Sequence, residues 1–372
     1  MIIRRLLAYN LRKIKALEIA PLPGINLFWG ENGSGKTTLL EAIHFLHAGK
    51  SFRTNRFNEL VSHGEQQFGV RGDVAFLIDP IERPRSFKIE KTRQSTHIEV
   101  DGSSVTSASV LAKSLPLLIV EPSSFGIVEG GPRIRRSLID RASFHVEPDF
   151  LKNTRGYSYA LHQRNQLLKT RAQVKQLFFW NEELARYGEA LTVSRNRCVA
   201  ALNEVFAAGT PIDDIVGNIQ LKYRQGWKET LSLSEAIRQN QSQELVAGTT
   251  SAGPHKAEIE IQAGGSGLAR IASRGQIKIV VLMMISALVD YIYKMAGYRP
   301  VVLVDDFSAE LDGFMRQMAL NLLSQTKAQL FLTSIDDCVT ITNGLNIEGR
   351  FHVEQGQVGP LSPSNQFSQL GK

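Results

Sequence analysis

Apolar and polar positions along the 372-residue chain change their period twice. The first third reads as strands. Residues 14–20 and 25–29 flank the turn Pro21-Leu22-Pro23-Gly24, and residues 68–77 and 87–89 carry further extended patterns. The segment 96–100 ends at Asp101-Gly102, a hairpin-type turn signal. Residues 115–120 form a short apolar run of the buried-strand kind, stopped by Glu121-Pro122. From about 133 to 206 the period becomes helical. Leu177, Leu184, Leu191 and Cys198 recur every seven residues, with Trp180 and Tyr187 three places after two of them. This apolar stripe fits a partner-binding or coiled-coil surface, or a helix packed within its own domain. The repeat is too short for a long coiled coil, which favours packing. The last third returns to α/β: a helix over 277–294, an aliphatic strand over 301–304, a helix over 315–324 and a strand over 328–333. Residues after Pro360 read as a frayed tail. No internal repeat is apparent.

Composition narrows the class. Hydrophobic residues make up 43% and charged residues 21%, an ordinary globular mixture, and the length allows two or three domains with real cores. The two cysteines, Cys198 and Cys338, form no C-x-x-C pair, so neither a disulfide framework nor a structural zinc site is expected, and a cytoplasmic location is. No signal-peptide pattern is seen at the N-terminus. The apolar run 279–289 is too short to span a bilayer, so no membrane association is expected. The net charge of +7 is uneven. Residues 1–15 contribute +5 and residues 121–200 another +5, leaving the remainder slightly acidic. A clustered excess suits an anionic partner; charge alone leaves a solvated basic face equally open.

Candidate chemistry begins at Gly30-Glu31-Asn32-Gly33-Ser34-Gly35-Lys36-Thr37, which fits G-x-x-x-x-G-K-[ST] at every fixed position. The expected strand precedes it and a helical run, 38–45, follows. Glycines let the backbone turn several N–H groups around phosphate oxygens, and the helix adds its positive end. Lys36 is then placed to reach the β- and γ-phosphates of ATP and Thr37 to ligate Mg²⁺. The strand 301–304 ends in Asp305-Asp306. Buried aliphatics followed by acid put a carboxylate at the carboxyl edge of a parallel sheet, where ligands bind. Asp305 is the expected metal-holding acid and Asp306 the residue that polarises the attacking water.

The two halves of this chemistry lie 269 residues apart. Before the second half, Ser273-Arg274-Gly275-Gln276 opens a helix and resembles the signature motif of ABC-type ATPases, with Arg274 in place of the more usual glycine. Ser308-Ala309-Glu310-Leu311-Asp312 resembles their D-loop. The order is that of an ABC/SMC-type ATPase head, a P-loop NTPase of α/β class, with an inserted, mainly helical second lobe. The expected division is 1–122 for the first part of the head, 123–250 for the inserted lobe and 251–372 for the rest of the head. The opening before the first strand is similar to that of SMC-like DNA repair ATPases. Four motifs resemble the RecF family: Gly49-Lys50-Ser51-Phe52-Arg53; Gly130-Gly131-Pro132 with Arg135, Arg136 and Asp140; Gly253-Pro254-His255-Lys256; and Ser273-Arg274-Gly275-Gln276.

The resemblance implies an ATP-dependent DNA-binding protein of recombinational repair, acting at single-stranded gaps with RecO and RecR to help load RecA. It implies two ATP molecules sandwiched between two chains, with Ser273, Gly275, Gln276 and Asp312 facing nucleotide bound mainly by the other copy. Thr38 and Arg12 join the nucleotide-facing set. Asp306 stands where many ABC ATPases carry Glu, so hydrolysis is expected to be slow. The usual switch histidine is absent, and Thr333-Ser334-Ile335 occupies the region. DNA contacts are expected from residues 133–175, with Arg135, Arg136, Arg164, Lys169 and Arg171 as candidates for phosphates. Two other functions remain to be weighed. An ABC transporter ATPase shares the nucleotide chemistry but would need membrane subunits and a shorter insert. A small-molecule phosphotransferase would need neither signature nor D-loop.

Overall fold

The structure, a computed structural model, describes residues 1–78, 81–170, 174–337 and 347–360. It divides into two compact units, Met1–Ser123 with Gly297–Lys372, and Ser124–Ala296.

The first unit opens with β1 (Ile2–Leu11), β2 (Ile14–Ile19), β3 (Ile25–Trp29), α1 (Lys36–Ala48) and α2 (Phe57–Leu60). It continues through β4 (Gln67–Ile78), β5 (Ile81–Thr92), β6 (Thr96–Val100), β7 (Ser103–Ser104), α3 (Ala108–Ser114) and β8 (Leu117–Val120). An antiparallel sheet of order β2-β1-β4-β5-β6-β7 results. β1 escapes the period-2 pattern because its pairing with β4 shifts register between Ile3 and Arg5, and such an irregularity breaks the inward–outward alternation. α1 is buried on nearly every side, Leu39, Leu40, Ile43 and Phe45 included. A helix apolar on all faces needs partners on all of them, and α1 packs on β1, β4, β5, α3 and the later strand β13 described below.

The second unit carries α4 (Gly126–Glu129), α5 (Pro132–Val146), α6 (Phe150–Lys169), α7 (Val174–Ala207), α8 (Asp213–Val216), β9 (Ile219–Arg224), α9 (Leu233–Ala247), β10 (Glu258–Ala263), β11 (Ser266–Gly267) and α10 (Arg274–Ala296). The heptad stripe lies inside it: Leu177, Leu184, Leu191 and Cys198 are all buried, and α7 packs on α5, α6, α9, α10 and β9. α10 is long and apolar enough to cross a membrane, with an 18-residue window of mean hydropathy 1.8. That window is 72% buried in the protein, which is how a core helix reads. The sequence boundary near 250 falls within this unit. β10 pairs antiparallel with β9, and α10 packs on α4, α5 and α7, so residues 251–296 share the helical unit's core.

The chain re-enters the first unit as β12 (Val301–Val304), α11 (Gly313–Gln325), β13 (Leu330–Ser334), β14 (Gly349–Glu354) and β15 (Gln357–Pro360). These strands complete a second sheet, β15-β14-β3-β13-β12-β8. All its pairings are parallel except β14 with β15. Val304 lies opposite Leu332 and Val120, and Ser334 opposite Trp29. The carboxyl ends of β3, β13 and β12 therefore finish side by side. The frayed tail expected after Pro360, together with Cys338, lies outside the described residues.

Candidate functional site

That shared carboxyl edge sets up the site. After β3 the chain makes the turn over residues 30–35 that only its glycines permit. Gly30 has φ 150° and Gly35 φ 117°, and a Cβ on Gly30 would stand 2.3 Å from the Val353 carbonyl oxygen. The β14–β15 turn braces the loop, the Gly356 N–H donating to the Ser34 carbonyl at 2.7 Å. Lys36 opens α1 with its side chain folded over the loop, Nζ donating to the carbonyls of Gly30 (2.7 Å) and Glu31 (2.8 Å). Burial lowers the Lys36 pKa, opposed by the charges of Asp306 and Asp305. The Ser34 hydroxyl is buried without a hydrogen-bond partner among the described residues, while Glu31, Asn32 and Gly33 are exposed along the rim. Thr38 is buried in the first turn of α1.

Asp305 and Asp306 follow β12 directly. The Thr37 hydroxyl donates to Asp305 Oδ1 at 3.0 Å, bringing two positions 268 residues apart into contact. Thr333, at the end of the strand between them, donates to the same Oδ1 at 2.7 Å and accepts from the Asp306 N–H at 2.8 Å. Asp306 is held in the left-handed region at φ 50°. Asp305 is 5% exposed. Burial first, and the neighbouring Asp306 charge, raise its pKa, against the hydroxyls of Thr333 and Thr37 and the charge of Arg53. Thr333 and Ser334 thus stand where the sequence lacked a histidine. The Ser334 hydroxyl donates to Asp336 Oδ1 at 2.8 Å and shares a second hydrogen bond of 2.8 Å with the Ser308 hydroxyl.

An open cleft of about 780 Å³ adjoins the loop, and Arg12, Lys13, Lys15, His63, His352 and Glu354 are among its lining residues. Lys13 Nζ donates to the Gly33 carbonyl at 2.7 Å. The sequence counted Lys13 and Lys15 only as charge; Lys13 on the β1–β2 turn and Lys15 at the start of β2 both line this cleft. Arg12 borders the cleft, but its guanidinium is engaged by the fully buried Glu41 at 2.6 and 2.9 Å. Ser51 Oγ donates to the same carboxylate at 2.5 Å, which gives the Gly49–Arg53 motif a structural purpose. Asp312 caps α11, accepting from the Met315 N–H at 2.8 Å.

In the second unit, Ser273 and Gln276 cap α10 reciprocally: the Ser273 N–H donates to Gln276 Oε1 at 2.8 Å, and the Gln276 N–H to Ser273 Oγ at 3.4 Å. Ser273 and Arg274 are exposed and Gly275 is buried. Arg274 lies over the Phe125 ring, 5.6 Å from its centroid.

The DNA candidates divide. Arg164 is a correction: it is 0% exposed and paired with Glu244 at 2.6 Å, with Asn181 and Thr250 each accepting at 2.7 Å. A guanidinium enclosed this way has no face left for a phosphate. Arg135 is corrected too, since its side chain is 12% exposed and grips Glu258 through two bonds of 2.8 Å. Arg136 donates to the Ala257 carbonyl. Asp140 holds Arg195 at 2.7 and 2.9 Å, and Arg195 donates to the Pro254 carbonyl at 2.7 Å. The 130–140 motif is therefore tied to the 253–256 motif through Arg195, and to the two residues that follow it, Ala257 and Glu258, directly. His255 belongs to the same fabric, Nδ1 meeting the Tyr157 hydroxyl at 2.6 Å. Lys169 is exposed. Arg171 lies outside the described residues.

A phosphate loop after one parallel strand and tandem acids after another, in this sheet, define an ABC/SMC-type ATPase head. The comparisons agree. The family described as RecF/RecN/SMC N terminal domain matches residues 2–358. The chain is 34% identical over 363 residues to the DNA replication and repair protein RecF of Shewanella frigidimarina, covering 94% of this chain and 96% of that one. It is 36% identical over 361 residues to the protein of the same name from Thioalkalivibrio sulfidiphilus, covering 96% and 98%. Among solved structures, the recombination mediator protein RecF-ATP in the RecFOR pathway superposes with a TM-score of 0.81 at 24% identity, over 97% of both chains. An Smc head bound to the C-winged helix domain of ScpA gives 0.57 at 18%, over 98% of both. The chain belongs to the RecF family.

Proposed function

We propose that this chain is an ATP-dependent DNA-binding protein of DNA replication and recombinational repair. In this reading it forms an ATP-gated homodimeric clamp on gapped or duplex DNA in the cytoplasm. It works with RecO and RecR to load RecA, and weak, DNA-stimulated ATP hydrolysis releases it. The observation that carries the reading is the Thr37–Asp305 hydrogen bond of 3.0 Å, which joins the phosphate loop to the acidic strand end across the inserted unit. RecF-named relatives over nearly the whole length support it, and so does a similar fold described with ATP.

The residues suit ATP and Mg²⁺. Residues 30–35 offer backbone N–H groups, and Ser34 offers a buried hydroxyl with no partner among the described residues. Lys36 is positioned to exchange its two carbonyl acceptors for phosphate oxygens. Thr37 and Asp305 would hold the metal, which would neutralise charge on the transferred phosphoryl group. Asp306 would orient the attacking water, Thr333 fixing its backbone. Ser273, Gly275, Gln276 and Asp312 would serve the copy opposite. A transporter ATPase is disfavoured, because the match to a RecF-named protein covers 94% of this chain and so takes in most of the helical unit 124–296.

Sedimentation with ATP, Mg²⁺ and gapped DNA tests this. Wild type should gain mass with ATP and again with DNA, and Lys36→Ala should gain neither. A wild-type mass unchanged by both would overturn the clamp.

A further inference from the structure

One face of α6 has a composition that the ATP site does not use. Residues Lys152, Arg155, Tyr159, His162, Gln166 and Lys169 are all exposed. Their spacing of three and four places puts them in one stripe along the helix. From Phe150 to Lys169 the helix contains no Asp or Glu. The stripe is about 25 Å long, enough for a site of about four nucleotides.

An aromatic row crosses the middle of this stripe. Tyr159 is 60% exposed and meets Trp180 of α7 edge-on, with centroids 5.5 Å apart. Trp180 in turn meets Phe179, 59% exposed, at 4.9 Å. Large aromatic faces left in water are costly unless something covers them. The two acids that follow Trp180 on α7 each have a polar partner of their own. Glu183 is paired with Arg186 at 2.8 Å, and Glu182 accepts from Ser234 at 3.3 Å.

We propose that the α6 stripe and the Tyr159–Trp180–Phe179 row form a stacking surface for single-stranded DNA, a site that rests on the DNA-binding reading above and locates part of it. The cations follow the phosphates and the rings receive unpaired bases. Cationic grooves interleaved with aromatics bind single strands this way without reading sequence. A duplex keeps its bases stacked inside and presents only phosphates, so it would use the cations and leave the rings idle. A protein partner would have equal use for the rings but no need of an acid-free stripe.

The test is fluorescence anisotropy with full-length protein, using labelled oligo-dT and a duplex of equal length. Tyr159→Ala/Phe179→Ala should weaken oligo-dT binding by at least about fivefold for each stack lost, with duplex affinity unchanged. Tyr159→Trp/Phe179→Tyr should retain it. Lys152→Ala/Lys169→Ala should weaken both ligands and flatten the salt dependence, by a slope of about 0.7 per phosphate contact on the single strand. All four substituted positions are exposed, and an unchanged melting temperature checks that the fold is kept. Oligo-dT affinity within about twofold of wild type in the alanine pair, with duplex still bound, overturns the surface alone. Loss of a protein partner with oligo-dT binding intact overturns it in favour of protein docking. A wild type that binds neither DNA overturns the function proposed above as well.

Discussion

Asp305 carries its charge where water is scarce. It is 5% exposed, beside a second acid, and relies on two hydroxyls for solvation. Its pKa is raised, burial being the largest cause. For a carboxyl whose folded value lies above its unfolded one, the stabilising contribution is full below the unfolded value of 3.8 and is lost as pH rises through the folded value. At neutral pH the ionised residue is therefore a strain on the fold. Asp305→Asn keeps an oxygen acceptor for Thr37 and Thr333 without the charge. Its melting temperature should exceed wild type near pH 7, and the gap should close toward pH 4. Mg²⁺-dependent ATP turnover should vanish in the same variant, since the charge is what a metal needs. An Asn variant that melts below wild type at neutral pH would contradict the account. At this scale the sequence was legible for where Lys36, Thr37 and Asp305 lie, because a loop motif and an acid at a strand end are local patterns. It was silent on Thr333 as the residue that bonds both acids, because that depends on which strand lies between β3 and β12.

At the scale of elements, periodicity located most of the helices and the central strands. It failed where pairing irregularity or burial overrode it. β1 was missed because its register shifts. DNA contacts were expected across 133–175, yet helix faces sort the candidates: Arg164 falls on the buried side of α6 and Lys169 on the exposed one. Charge counting has no access to that distinction. It predicts opposite phenotypes for two cations five residues apart. Arg164→Ala leaves Glu244 buried at 1% exposure without its partner, a loss of about 3–5 kcal/mol for a broken buried pair. Lys169→Ala should change stability by no more than about 0.5 kcal/mol while weakening DNA binding. Denaturant unfolding of the two variants separates them; equal stabilities would mean that the Arg164–Glu244 pair is solvated in solution.

At the scale of the whole molecule, the motif order implied a head interrupted by an insert, and the chain does leave the first unit at Ser123 and return at Gly297. The signature segment 273–276 opens a helix of the second unit, whereas the phosphate loop and Asp312 belong to the first. This separation yields a test of the proposed sandwich that needs no mutation. Hydrogen exchange measured with ATP and Mg²⁺ should protect residues 30–38 at any protein concentration, because that contact is made within one chain. Protection of 273–276 and 312 should appear only as concentration rises through the dimerisation range, because in the sandwich those residues face nucleotide held by the other copy. Binding stabilises in proportion to RT ln(1 + [L]/Kd), and the second set sees a ligand whose effective concentration is that of the partner. If both sets become protected together in dilute protein, the signature acts within its own chain, and the nucleotide gates a conformation of the monomer instead of a clamp.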